Sequence, residues 1–253
     1  MISHAKATLL GILIVLSQVF PKPAFQVVSL KVNPNSGFSP TILRMTGNRF
    51  STTGMPLRPL MMQFYDLRDF QIEGGPDWIN IDQWDIEAVA DDGANLNMVD
   101  FENPSSPTRG ALMVQSLVEE RFRLKTHRVT KELPVYELTV AKNGPKIKPL
   151  KDPKPSNRRS TRGEIDVEAL PFATFRYLLS RQLDRVLVDK TNLTGLYDIK
   201  LKWNAEFKAG VEPASDRPSV FTAVQEQLGL KLENSKGPVE VLVVDSVQRP
   251  SEN

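Results

Sequence analysis

The chain carries the same succession of apolar patterns twice, and this repetition constrains its fold more than any other feature. In each stretch a proline, Pro56 or Pro171, opens a segment with helical apolar spacing. A short strand pattern and a turn follow, and then an alternating strand in which an aromatic residue precedes Asp85 or Asp198. Proline suits the first turn of a helix, and alternation of apolar and polar residues is typical of a half-buried strand.

The second part of each stretch matches more closely. Residues 118–125 (VEERFRLK) align with 224–231 (VQEQLGLK), and residues 134–140 (PVYELTV) align with 238–244 (PVEVLVV). The offset between equivalent residues falls from 115 at the first prolines (171 − 56) to 104 at the last strands (238 − 134), which indicates shorter loops in the second copy. A period of this length excludes a solenoid.

We therefore predict an α+β fold made of two tandem copies of a β-α-β-β-α-β-β module, with helices packed on small mixed sheets. The first module covers 25–142 and gains an extra edge strand at Phe25–Asn33, and the second module covers 164–253. The stretch 143–163 between them holds four prolines and seven Lys or Arg residues against one acid, so we predict an extended, solvated linker. Docking of this basic stretch on an anionic lipid or polymer is the alternative.

Residues 1–24 have the features of a secretory signal peptide. Lys6 precedes an apolar run at 7–16, and a proline-containing segment ends it. The run is too short to span a membrane, which needs about 20 apolar residues. We expect a secreted or periplasmic protein whose mature form begins between Gln18 and Gln26 and keeps no stable membrane anchor.

Composition excludes several chemistries. Residues 1–24 contain two Lys and no acid, so the remaining chain has 32 − 2 = 30 bases against 30 acids, and we expect no nucleic-acid partner. The absence of cysteine excludes thiol nucleophiles, disulfides and iron–sulfur clusters. His127 is the one histidine outside the predicted signal peptide, and nucleotide-binding and Ser-hydrolase motifs are missing. We expect neither a cofactor nor a metal.

Few residues remain as candidates for a site. The turn Gly74–Pro76 would present Asp77 and Trp78, a pair that suits peptide or sugar binding, although Trp78 could equally cap the core. Asp82, Asp85 and Glu87 follow closely, and two carboxylates at the right separation can hydrolyse glycosides, but a solvated strand face is the alternative. No catalytic residue is assigned.

Strand edges are a second possible binding surface. The stretch Val239–Val244 is almost wholly apolar, and a strand that is apolar on both faces must be covered twice or pair with something outside its domain. We predict that an exposed edge at Val239–Val244, or at its counterpart Val135–Val140, receives a partner strand. The alternative is that both strands lie inside their sheets.

Several segments, among them RDFQIEGGPDWI, LVEERFRLKTHR and VDKTNLTGLYDIKLKW, resemble the soil-associated family of exported bacterial proteins catalogued as a domain of unknown function. The resemblance covers about residues 25–253 and implies a secreted or periplasmic protein, but it supplies no site residues because no activity is established for that family. Some relatives occur behind a membrane-embedded sensor metallopeptidase, which suggests sensing or binding. Each half is also similar to the short N-terminal domain of secretins and TonB-dependent receptors, which implies protein–protein contacts in the periplasm.

Taken together, these features predict an exported cell-envelope protein that acts as a non-catalytic binding or sensing module for a protein or cell-wall ligand. The alternative is a carboxylate-dependent hydrolase of envelope polymers.

Overall fold

A computed structural model describes residues 22–34, 41–152, 154–205 and 217–251. Most of the predicted signal peptide, residues 1–21, lies outside the described residues. Within the described part of the chain, no helix has the length and apolar character needed to cross a membrane.

The first half of the chain builds a four-stranded antiparallel sheet with the order β1-β5-β3-β2. Side chains alternate between the two faces of this sheet along each strand. In β5, Trp84 and Ile86 are buried on one face, while Glu87 is exposed on the other. The predicted edge strand at the N-terminus is confirmed, since β1 pairs with β5 alone. The four strands are β1 (Val27–Val32), β2 (Ile42–Thr46), β3 (Arg49–Pro56) and β5 (Gln83–Val89).

Two main helices of this half pack on that sheet. Helix α1 (Leu57–Phe64) begins directly after Pro56 and buries its leucine, methionine and phenylalanine side chains on one face. Helix α3 (Arg109–Arg121) begins at Thr108, whose hydroxyl accepts a hydrogen bond from the backbone N–H of Ala111 and so satisfies a free donor of the first turn. A short strand β4 (Ile72–Gly74) and a single helical turn α2 (Trp78–Ile81) lie between them in sequence.

The second half repeats this order of elements. A three-stranded sheet has the order β10-β8-β7, and helices α4 (Phe172–Ser180) and α5 (Val220–Leu228) pack on it. Its strands are β7 (Asn157–Thr161), β8 (Glu164–Pro171) and β10 (Leu196–Lys202), and β9 (Val186–Asp189) follows α4 as β4 follows α1.

One local feature recurs at corresponding points of the two sheets. Gly54 in β3 and Ala169 in β8 both have positive φ, 61° and 51°, where the strand pairing shifts register. The N–H of Gly54 donates to Oδ1 of Asp85 at 2.8 Å, and that of Ala169 donates to Oδ1 of Asp198 at 2.9 Å. Each aspartate therefore fixes a β-bulge in the neighbouring strand.

A long antiparallel ribbon joins the two halves. Strands β6 (Lys125–Val140) and β11 (Leu230–Ser246) pair along their whole length, and short parallel strands extend opposite edges: β4 pairs with β11, and β9 pairs with β6. The sequence predicts two strands in each of these stretches, and this is wrong, because each stretch is one continuous strand. In each half, the order of the main elements is thus β-β-α-β-β-α-β.

The ribbon exchanges strand ends between the two cores. Leu242 and Val244, at the end of β11, pack in the core of the first half, whereas Tyr136 and Leu138, at the end of β6, pack in the core of the second half. Each core therefore needs residues from both halves.

The strand pairing also shows which parts of β6 and β11 have free edges. Residues 242–244 of β11 lie between β4 and β6, and residues 135–138 of β6 lie between β9 and β11. The expectation that Val239–Val244 or Val135–Val140 offers an exposed edge is wrong over these residues, because their backbone groups already have partners on both sides.

The basic stretch 143–163 differs from the solvated linker that its composition predicts. Strand β7 lies within it and pairs with β8. Upstream, the N–H of Lys146 donates to the carbonyl of Leu228 and the N–H of Leu150 to that of Leu196. The stretch therefore follows the surface of the second half, where one of its lysines, Lys154, pairs with the bulge aspartate Asp198 at 2.6 Å.

Candidate functional site

A concave site lies at the seam between the two halves and has a volume of about 400 Å³. Its walls come from the end of α1, the segment 98–108 that leads into α3, Tyr177 of α4 and the ribbon. This volume is within the range of small-ligand sites, and such sites favour boundaries between domains. We refer to it below as the seam cleft.

The ends of α1 and α4 meet beside the seam cleft. Arg68 donates to the carbonyl and hydroxyl oxygens of Ser180, and Arg181 lies 3.4 Å from the carboxylate of Asp66. A weaker contact of 3.5 Å joins Arg181 to the amide oxygen of Gln63. Two guanidinium groups thus surround a single carboxylate.

Burial and like-charge repulsion disfavour the charged forms of some side chains in this cluster. Burial and the neighbouring Arg181 lower the pKa of Arg68 to about 10, so the guanidinium stays protonated at neutral pH but is poorly stabilised. Burial raises the pKa of Asp66, while both arginines oppose that shift. The Asp66 side chain is nonetheless 62% exposed, and both arginines favour its charged form.

Two tyrosines add aromatic surface to the seam cleft. Tyr65 follows α1 and donates a long hydrogen bond of 3.4 Å to Glu119, and burial together with that carboxylate raises the pKa of its phenol. Burial and then the charge of Asp66 raise the pKa of Tyr177. Both phenols therefore stay protonated and can donate hydrogen bonds at neutral pH.

The floor of the seam cleft is polar. Arg128 of β6 and Glu240 of β11 line it and form an ion pair with each other. Gln71 fixes the turn after α1 to this floor, because its amide donates to the Glu240 carbonyl at 2.9 Å and accepts from the N–H of Arg68 at 3.1 Å.

One aromatic side chain fastens the outer wall. Phe101, in the segment before α3, packs against the core of the second half and lies edge-to-face on Tyr177. The guanidinium of Arg158 stacks over its ring at 3.6 Å, and Thr174 donates to its carbonyl oxygen. The wall of the seam cleft therefore belongs to the first half in sequence and is held by the second half.

The structure places the sequence candidates Asp77 and Trp78 away from the seam cleft. Asp77 is exposed at the start of α2, and Trp78 is half-buried, stacked on Phe122 with a ring separation of 6.4 Å. The guanidinium of Arg249 lies over the Trp78 ring at 5.1 Å, while its Nε donates to Asp82 at 2.6 Å. Neither candidate lines the seam cleft.

Two of the other candidate carboxylates, Asp85 and Asp82, are held by structural contacts, whereas Glu87 is exposed on β5. Oδ1 of Asp85 accepts both from Gly54 and from the side-chain amide of Asn33, and Asp82 pairs with Arg249. His127 is exposed on β6, with Nδ1 2.7 Å from Asp245. In the described ranges, no three His, Cys, Asp or Glu side chains gather as a metal site would require.

Sequence reasoning missed the residues of the seam. Asp66 and Arg181, which carry opposite charges, are separated by the same offset, 115, that relates Pro56 to Pro171. That relation was a usable signal, since equivalent residues meet where two similar halves face each other.

Comparison with known proteins gives a family but no function. No curated protein and no solved structure matches the chain. A family model described as "Protein of unknown function (DUF3738)" matches residues 58–247, which include both helical pairs and the ribbon. The chain therefore belongs to the DUF3738 family of proteins of unknown function.

Proposed function

We propose that this is an exported protein of the cell envelope that binds or senses a protein or cell-wall ligand without chemical turnover, and that the ligand enters the seam cleft. The observation that carries the proposal is the position of the cleft, whose walls come from both halves. A ligand held there contacts the end of α1, the Phe101 segment and α4 together, so its binding would stabilise one arrangement of the halves.

We further propose that the fold arose by duplication of one module. The two halves are copies of one module, in which the equivalent elements kept their order and the aspartate-fixed bulge at Gly54 and Ala169 persisted. Duplication accounts for a site that lies between the copies, because the surface where they meet belongs to neither copy alone.

Hydrogen exchange tests the location of the site. The full chain is incubated with soluble cell-wall fragments or envelope protein extract, and we expect slower exchange at residues 63–67 and 98–108. Protection confined to Asp77–Glu87 would move the site to the turn that carries Trp78 and would overturn the assignment to the seam cleft.

A matched pair of variants sharpens this experiment. Met98→Trp enlarges a side chain that lines the cleft and is 37% exposed, and it should abolish the protection. Ile81→Trp makes the same type of change at a residue outside the cleft that is 65% exposed, and it should leave the protection intact.

The rival function, hydrolysis of an envelope polymer, is favoured by two carboxylates, Asp66 and Glu240, that line the same cleft. Against it, Glu240 is paired with Arg128 and Asp66 lies beside Arg181. Release of new reducing ends or peptide termini from wall polymers, lost in Asp66→Asn, would establish the hydrolase and reject the non-catalytic proposal.

A further inference from the structure

The two guanidinium groups at the seam, those of Arg68 and Arg181, have a single carboxylate beside them. Arg181 lies 3.4 Å from the carboxylate of Asp66, which also acts electrostatically on Arg68, and Arg68 donates its hydrogen bonds to the neutral oxygens of Ser180. The next carboxylate on this turn, Asp69, is already paired with Arg58 at 2.6 Å. The local sum is one positive charge in excess.

An excess of partly desolvated positive charge is costly unless an anion joins it. Like charges also repel, and the repulsion between Arg68 and Arg181 lowers the pKa of Arg68. Strongly perturbed groups beside a cleft are typical of binding sites. A purely structural contact between the halves would therefore leave this positive charge without a partner, whereas a bound anion would neutralise it.

The shape of the donors narrows the kind of anion. Arginine presents planar, paired N–H groups that match the two oxygens of a carboxylate. The side chain of Arg181 is 28% exposed, and its contact with Asp66 is long, so an incoming carboxylate can reach it without displacing a strong ion pair. Tyr177, next to both arginines, can add a hydroxyl donor from the cleft wall.

We propose that the ligand of the seam cleft carries a free carboxylate, which Arg181 holds directly at the edge of the cleft, beside the lining residues Asp66 and Tyr177, while Arg68 supplies a second positive charge behind it. This inference rests on the proposed function and adds the chemical group that is recognised. Envelope ligands offer such a group at the end of a cell-wall stem peptide or at the C-terminus of a protein. The site recognises the terminal carboxylate that both share.

The test compares acids with matched amides. Calorimetric titration of the full chain uses Nα,Nε-diacetyl-Lys-D-Ala-D-Ala, its C-terminal amide, and the corresponding all-L acid and amide. We expect at least one acid to bind about tenfold or more tightly than its amide, since the amide lacks the charge that pairs with guanidinium. Preference for the D acid identifies the wall peptide as the source, and preference for the L acid identifies a protein C-terminus.

Variants separate recognition from structural support. Arg181→Gln should remove the difference between acid and amide, and Arg181→Lys should retain part of it because the charge stays while the paired geometry is lost. Arg249→Gln, at an exposed arginine that pairs with Asp82 outside the cleft, should keep the wild-type preference. If Arg181 only tied the halves together, Arg181→Gln would weaken both ligands equally.

Equal affinity for acid and amide in the wild-type chain, or no binding of any of the four peptides at millimolar concentration, would overturn the carboxylate inference. The proposed function would survive that result if wall fragments or envelope extract still protected residues 63–67 and 98–108 from exchange. Loss of that protection would reject the seam cleft as a site, whatever the peptides do.

Discussion

At the scale of single residues, the two halves have the same left-handed backbone conformation at one aligned position but different residues there. Arg123, just after α3, and Gly229, just after α5, occupy aligned positions and both have positive φ, 46° and 66°. Glycine adopts this conformation freely, whereas a residue with a Cβ is strained by about 1–2 kcal/mol. Arg123 is exposed and forms no ion pair among those found in the described residues, so nothing seen there offsets its strain.

Arg123→Gly should therefore stabilise the protein. The relief of strain exceeds the added entropy of the unfolded chain, and we expect a gain of about 0.5–1 kcal/mol in the free energy of unfolding. Urea titration followed by circular dichroism measures it. A loss of stability would show that the arginine side chain has a stabilising role of its own.

The reciprocal change, Gly229→Ala, should be strongly destabilising. A Cβ at Gly229 would lie 2.4 Å from the carbonyl oxygen of Gly144 and 2.7 Å from the N–H nitrogen of Lys146, and both are backbone atoms. We expect a cost above about 2 kcal/mol, since conformational strain and overpacking add. The same titration checks it, and an effect as small as that of a surface substitution would contradict the close approach of this chain segment.

At the scale of elements, the helices and most strands follow from local pattern, but the ribbon does not. Pro134 and Pro238 interrupt their stretches, and proline usually marks the end of a strand. Each proline instead lies where its strand has no outer neighbour, because β9 pairs only from residue 135 and β4 only from residue 242. A proline is acceptable at such a free edge. Sequence alone does not show which edge is free, so one long strand was read as two.

The exchanged strand ends can be tested with two leucines. Leu138→Ala removes a side chain of β6 from the second core, and Leu242→Ala removes one of β11 from the first core. Each should cost about 2–5 kcal/mol, as cavities in cores do. The indole N–H signal of Trp203, in the second core, should respond chiefly to Leu138→Ala, and that of Trp84, in the first core, to Leu242→Ala.

Nuclear magnetic resonance of the indole groups distinguishes the two topologies, and the two variants serve as controls for each other. If β6 stayed with the first half and β11 with the second, the responses of Trp84 and Trp203 would be reversed.

At the scale of the whole molecule, the seam is the feature least accessible to sequence analysis. The similar sequence patterns of the two stretches predict two modules, and the basic, proline-rich stretch between them suggests independent domains. Contacts across the seam depend instead on residues far apart in sequence, such as Arg68 with Ser180 and Phe101 with Tyr177. Local propensity carries no information on such pairs, because they follow from how the ribbon turns one half against the other.

The exchanged strands should make the chain unfold as one unit. Neither core is complete without the other half, so we expect a single urea transition with the same midpoint by circular dichroism and by tryptophan fluorescence. Leu138→Ala should shift the midpoint reported by Trp84 as well as that reported by Trp203. Two separate transitions would show that the halves are independent in stability despite the shared ribbon.

Export is the last property of the whole chain that can be tested directly. Lys6 and the apolar run at 7–16 have the pattern of a cleaved signal peptide and are too short to span a membrane, so we expect a mature protein that begins between Gln18 and Gln26. Among the described residues, the first core contact is the stacking of Phe25 on Phe50 at 6.0 Å, and β1 begins at Val27. A start at Phe25 or earlier therefore keeps both, whereas a start at Gln26 removes the Phe25 contact. Intact mass of the protein recovered from the periplasm or medium measures the start. Leu13→Arg, which breaks the apolar run, should retain the full-length mass inside the cell, whereas His4→Gln, ahead of the run, should not. A full-length product held in the membrane would contradict cleavage and place both halves on a tether.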